Sequence, residues 1–466
     1  MQRRKVLLGL VGLLLATLML TGCPRRERAE AVDIAGITGP FDWRRAAGSE
    51  ITVFMVQHPT TESIMARLSD FTDLTGIRVN TSITPEANYF DQVSIVLSAR
   101  TGMPDLFMSG AYQLWDYYTA YHVQPLDVFL NNASLTHADY DVGDFVRSAF
   151  DALKWDGVTG SPVGRGNQLG IPLAMELYML GYNRRAFDIA GIANAPRTFD
   201  ELLGILDRLQ GWNGPGSYAI AVRGARDWGT IHPAYMSTFR NFGAVDFEME
   251  GGRLVSRVNS PESVRMNEFF VDMIRRGGSP QWASMFWYLN QMDFQNGFAA
   301  MHWDASNVLA QSVWANTAES PHIRFAPSPV ANIGDPIHSN FWTWAMAMNY
   351  NSRNQVAAWK FLQFFSSKEF LLSASVDSNN MDPTRDSVFN HPDFRARLDT
   401  LPNWYESWRA TVPLTTILFT PHPAFFAATT EWAAHLQDMV AGGRFPSIQA
   451  GLDSLKETQD RLLLGH

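Results

Sequence analysis

The spacing of apolar residues changes period twice within the first stretch that reads as folded. Ile51 to Val56 (ITVFMV) carries no charge and is rich in β-branched and aromatic side chains, which predicts a strand covered on both faces. Ile64, Leu68, Phe71 and Leu74 then recur at helical spacing behind the cap candidates Thr60 and Thr61, and Gly76 stands where a helix can end in the left-handed conformation. Ile77, Val79 and Ile83 return to alternation. Strand, helix and strand in this order predict a βαβ unit, hence parallel pairing with a right-handed crossover.

A second unit follows, with a helix from Tyr89 to Ala99, a break at Gly102 and Pro104, and a strand from Asp105 to Met108. Farther on, 198–209, 264–274 and 355–365 have the spacing of helices, and Tyr218 to Val222 that of a strand. An α/β protein of two lobes is predicted, each lobe a mainly parallel sheet flanked by helices. In open sheets of this kind ligands gather beyond the carboxyl ends of the strands. That rule points to Gln57 and His58 after the first strand, and to the stretch reaching Tyr112 after the Asp105 strand.

The N-terminus adds an address. Arg3, Arg4 and Lys5 precede an uncharged apolar run, Val6 to Leu20, which is short for a membrane span of roughly 20 residues and suits a secretion signal over residues 1–22. A single N-terminal membrane anchor is the alternative, and both place the remainder outside the cytoplasm. Leu20-Thr-Gly-Cys23 resembles the lipobox of bacterial lipoproteins and holds the only cysteine of the 466 residues. Lipidation of Cys23, with residues 23–47 as a solvated tether, accounts for the lone sulfur and predicts attachment to a membrane surface without crossing it.

Charge and composition narrow the partners. A net charge of −9, more negative once the signal is removed, and the lack of any basic cluster exclude a nucleic-acid partner. Apolar residues make up 46% of the chain, enough for the cores of two or three domains. His-Glu-x-x-His, Gly-x-Ser-x-Gly and Walker phosphate-loop patterns are absent, and no thiol remains for a zinc-thiolate site, so neither a metal nor another cofactor is expected. Gly164 to Gly170 only approximates a dinucleotide fingerprint, because Ile171-Pro172 follows where a helix should begin.

Six segments in order resemble the extracellular solute-binding proteins of ABC importers, in particular the large sugar-binding family that includes maltose-binding protein. They are Phe71–Val79, Gly102–Phe107, Gly170–Pro172 with Gly181–Asn183, Pro196–Leu203, Phe294–Met301 and Ala358–Glu369. The resemblance implies two lobes of periplasmic-binding-protein type II, joined by crossing segments near Ala174, Trp303 and Thr343. The first lobe would take residues 48–174 with 304–343, and the second 175–303 with 344–466. His302-Trp303-Asp304 departs from the glycine-containing turn of many relatives.

A sugar presents apolar C–H faces and a rim of hydroxyls, so its site needs flat aromatic surfaces beside hydrogen-bonding groups. Expected ligand contacts are therefore Gln57, His58 and Tyr112 from one lobe, and Glu176, Arg226, Asp227, Trp228, Trp303, Asp304 and Trp342 from the hinge and the other lobe. Glu176 matches by position a sugar-contacting glutamate of the family. For each tryptophan, core packing is the competing role, and Arg385 reads as a structural ion pair. The function implied is a lipid-anchored, monomeric receptor that binds a mono- or oligosaccharide and delivers it unchanged to a membrane permease. Alternatives are a surface lipoprotein that cleaves glycans through an acid pair such as Glu176 and Asp227, an adhesion or sensory module, or a receptor for another solute.

Overall fold

The computed structural model describes residues 33–378 and 382–464. The signal run, Cys23 and its lipidation lie outside the described residues. β1 (Glu50–Val56) leads into α1 (Pro59–Ala66), whose amino end is capped by the His58 ring accepting from Thr60 N, with Pro59 in the first turn. The helix expected from Ile64 to Leu74 is divided at Arg67 and resumes as α2 (Leu68–Thr75), which Gly76 closes at φ 71°. β2 (Arg78–Thr84) pairs parallel with β1 on one side. After α3 (Glu86–Ser98), β3 (Leu106–Gly110) pairs parallel with β1 on the other. Tyr89 anchors α3 to this sheet, its hydroxyl lying 2.8 Å from the Phe54 carbonyl and 3.0 Å from that of Met108.

The chain continues through β4 (Ile171–Asn183), α4 (Phe199–Leu209), β5 (Tyr218–Ala221), α5 (Trp228–Ile231), α6 (Pro261–Gly277), α7 (Trp287–Gln295), β6 (Ala299–Ala305), α8 (Ser306–Trp314), β7 (Ile323–Ala326), β8 (Phe341–Met348), α9 (Gln355–Phe365), α10 (Phe425–Ala441) and α11 (Ile448–Leu463). Neighbouring strands run β2-β1-β3-β8-β4-β6-β5, with β7 also on β4. Among the described strands, parallel pairing holds only for β2-β1-β3 and for β6-β5, so the sheets are mixed. β8, β4 and β6 pair antiparallel, an arrangement that needs no crossover helix between them.

β4 is the joint between the lobes and is buried along its whole length. Through Leu177 it pairs with β8 of the first sheet; from Tyr178 onward it pairs with β6 and β7 of the second. This pairing departs from the expected division of the chain. Residues 299–326 belong with the second sheet, whereas β8 pairs with β3 and α9 packs on β1, which places 341–365 with the first. Trp303 and Thr343 accordingly sit inside a lobe, while the Ala174 expectation falls within four residues of the β4 joint. Another crossing follows α9: Met175 N donates to the Asp382 carbonyl at 3.2 Å, and Ser306 Oγ hydrogen-bonds the Asp382 carboxylate.

Residues 34–43, expected as part of a solvated tether, pack on the first lobe instead. Asn132 Nδ2 bonds the Ile34 and Ile37 carbonyls at 3.2 and 3.0 Å, and the buried Lys360 ammonium lies 3.5 Å from the Phe41 ring centroid. Aromatic and aliphatic side chains in 34–43 thus have a place in the first lobe. Arg385 is structural, as expected, donating to the carbonyls of Ser366, Tyr140 and Asp141.

Candidate functional site

The strand ends of both lobes converge on a cavity between them. Its walls draw His58, Pro59, Glu86, Trp342 and Trp344 from the first lobe, and Arg223, Trp228, His232, Trp287, Asn307, Val308 and Gln311 from the second, with Glu176 on the shared strand β4. Four of the ten expected contacts are there: His58, Glu176, Trp228 and Trp342.

The other six have identifiable places. Gln57 is exposed and outside the cavity. Tyr112 is fully buried behind the wall, where its hydroxyl donates to the Phe341 carbonyl at 2.8 Å and its ring supports Trp342 at 5.2 Å between centroids. Arg226 is exposed, 4.0 Å from Asp438. Asp227 accepts from Gly229 N at 2.7 Å and caps α5, so it fixes the helix start that carries Trp228. Trp303 is fully buried with its indole N–H on Ser328 Oγ at 2.8 Å. Asp304 acts through Arg223, which it holds by two hydrogen bonds of 2.6 and 2.9 Å.

That ion pair organises the electrostatics. Burial works against both charges, but each partner stabilises the other: the Arg223 guanidinium holds the Asp304 carboxyl well below the usual carboxylate range, and Asp304 in turn raises Arg223. Arg223 Nη1 also lies 3.0 Å from His232 Nε2, and guanidinium can only donate. His232 therefore accepts there, carries its proton on Nδ1 and donates to the Tyr178 hydroxyl at 2.8 Å. Burial and the nearby Arg223 both push its imidazole down, consistent with this neutral tautomer. His58, beside Trp344 at 4.9 Å between centroids, is likewise pushed down by burial, to about 3.

Glu176 Oε1 accepts from Asn307 Nδ2 at 3.1 Å and Trp344 Nε1 at 3.3 Å, leaving Oε2 without a protein partner among the described residues. Burial pushes this carboxyl up to about 7, against the pull of Arg223 and Asn307. Behind it, burial pushes Asp382 up to about 8 despite its bond from Ser306, and the Glu176 charge acts in the same direction.

The residues missed in the sequence carry usable signals. Glu86 and Arg223 lie two residues past the ends of β2 and β5, and Asn307 lies two past β6. For the first two this is the strand-end position that singled out His58. Trp344 is not among the missed residues: it reads in the sequence beside Trp342 and shares its strand face, because positions two apart point the same way. His232 follows one turn after Trp228, and their rings stack at 5.2 Å.

A family model for bacterial extracellular solute-binding proteins matches residues 57–370. The chain belongs to this family. Among its relatives, the erythritol/L-threitol-binding protein of Mycolicibacterium smegmatis is 34% identical over 447 residues, spanning 95% of this chain and 93% of the relative. Solved solute-binding proteins share the fold. Maltose-bound MalE3 of T. maritima superposes with a TM-score of 0.75 at 17% identity, covering 89% of this chain and 100% of that one. A ribitol complex from Agrobacterium radiobacter K84 gives 0.75 at 19%, covering 91% and 100%. The two-lobed fold is thus that of the family, and the protein is a solute-binding receptor, not an enzyme.

Proposed function

We propose that this solute-binding protein is the receptor of an ABC importer and that its solute is a short-chain polyol or a single sugar ring, not an oligosaccharide. The observation that carries this reading is the neutralised donor at the centre of the cavity. Arg223, whose Nε and Nη1 hydrogens and one Nη2 hydrogen are taken by Asp304, Gly229 and His232, can offer its remaining Nη2 N–H to a hydroxyl oxygen while Asp304 cancels its charge, so the site makes no demand for an anion. Glu176 and Glu86 supply acceptors for hydroxyl protons, and four indoles, Trp228, Trp287, Trp342 and Trp344, supply flat apolar walls for C–H edges. The tetritols named for the mycobacterial relative have the same chemistry.

Solute enters between open lobes, engages groups from both, and stabilises the closed form that the permease meets. A lipid on Cys23 would keep the monomer at the membrane surface; mass spectrometry of membrane-extracted protein, with a C23S control, reads this directly. The solute class is tested by calorimetry with erythritol, threitol, ribitol, mannitol, glucose, maltose and maltotriose. At least one tetritol, pentitol, hexitol or monosaccharide is expected to bind, and maltotriose is not. Preference for the trisaccharide, or no heat from any of the seven, would overturn the reading.

A further inference from the structure

α3 and α7 belong to opposite lobes, yet their first residues meet beside the cavity. The Trp287 indole Nε1–H donates to Glu86 Oε2 at 3.1 Å, and both side chains line the cavity. The two residues are 201 apart in sequence and sit on helices packed against different sheets, so the bond requires closed lobes. Glu86 Oε1 has no hydrogen-bond partner among the described residues. Arg223 and Asp227 of the second lobe both act electrostatically on this carboxylate, which lines the cavity together with Arg223. Phe90, one turn along α3, meets Trp228 edge-on at 5.9 Å and stacks on Trp344 at 6.2 Å, so the latch flanks the indole wall.

We propose that Glu86 and Trp287 form a solute-sensing latch: one Glu86 oxygen holds the opposite lobe through the Trp287 N–H and the other accepts a solute hydroxyl. This rests on the reading of the cavity as the solute site. A single carboxylate then couples capture to closure, because solute orders the side chain in the rotamer that the second lobe needs. Trp287→Phe removes the N–H and keeps the ring, Glu86→Gln retains one acceptor oxygen, and Glu86→Ala removes both functions.

The test is stopped-flow release of erythritol or ribitol from the full-length protein, with melting curves to establish folding. Trp287→Phe is expected to speed release about tenfold while association changes less than twofold, the loss of one hydrogen bond to a charged group. Glu86→Gln should fall between wild type and Glu86→Ala, Glu86→Ala should lose more than Trp287→Phe, and the double variant should behave as Glu86→Ala alone. Solute release from Trp287→Phe at the wild-type rate, or additive effects in the double variant, would overturn the latch while leaving the solute reading intact. Failure of wild-type protein to bind any polyol or sugar would overturn both.

Discussion

Glu176→Gln separates what the cavity does for binding from what it costs the fold. In the unfolded chain this carboxyl titrates near 4.5, and in the folded protein burial moves it to about 7. The folded state therefore holds the proton more tightly, and the group's contribution to stability is full below pH 4.5 and lost as pH rises to about 7. A displacement of this size corresponds to about 3 kcal/mol at pH 8, of which about 2 to 3 kcal/mol develops between pH 5 and pH 8. Glutamine cannot ionise, yet its carbonyl can still accept from Asn307 and Trp344. Urea unfolding of ligand-free protein at both pH values should show Glu176→Gln gaining stability relative to wild type by that amount on going from pH 5 to pH 8. At pH 8, where the carboxyl is ionised, solute affinity should move the other way, falling about tenfold or more because a charged acceptor is lost. Parallel pH profiles for the two proteins would refute the argument, since they would mean that the carboxyl is not held out of water.

Two further substitutions probe the supports behind the wall. A Cβ at Gly110 would lie 1.9 Å from Trp342 Cη2, so Gly110→Ala must displace that indole; a loss of about 1–3 kcal/mol and weaker solute binding are expected from denaturation and calorimetry. Unchanged stability and affinity would contradict the packing described. Asp304→Asn leaves the Arg223 charge buried without its counter-ion and should cost about 3–5 kcal/mol. Where that variant folds, it should lose affinity for neutral polyols and gain it for the corresponding sugar acids, measured on the same panel with the acids added.

Local chemistry determined much of this protein before any fold was known. The Thr198 side chain accepts from Glu201 N to start α4, Gly76 closes α2, and the span expected for 355–365 coincides with α9, because caps, left-handed glycines and apolar periodicity act within a few residues. His58 was legible for the same kind of reason, as a residue just past a parallel strand. Choosing among tryptophans needed tertiary structure. Trp303 and Trp342 both sit in fully buried strands, so composition and burial make them equivalent in sequence. Only β4, pairing with β8 at one end and with β6 at the other, turns Trp342 toward the cavity and Trp303 toward Ser328. The Arg223–Asp304 pair and the Glu86–Trp287 bond were equally invisible, each joining residues 81 and 201 positions apart. Alternation along a strand reveals that two faces exist; which face meets solute is decided by the partner strands, and those come from distant parts of the chain.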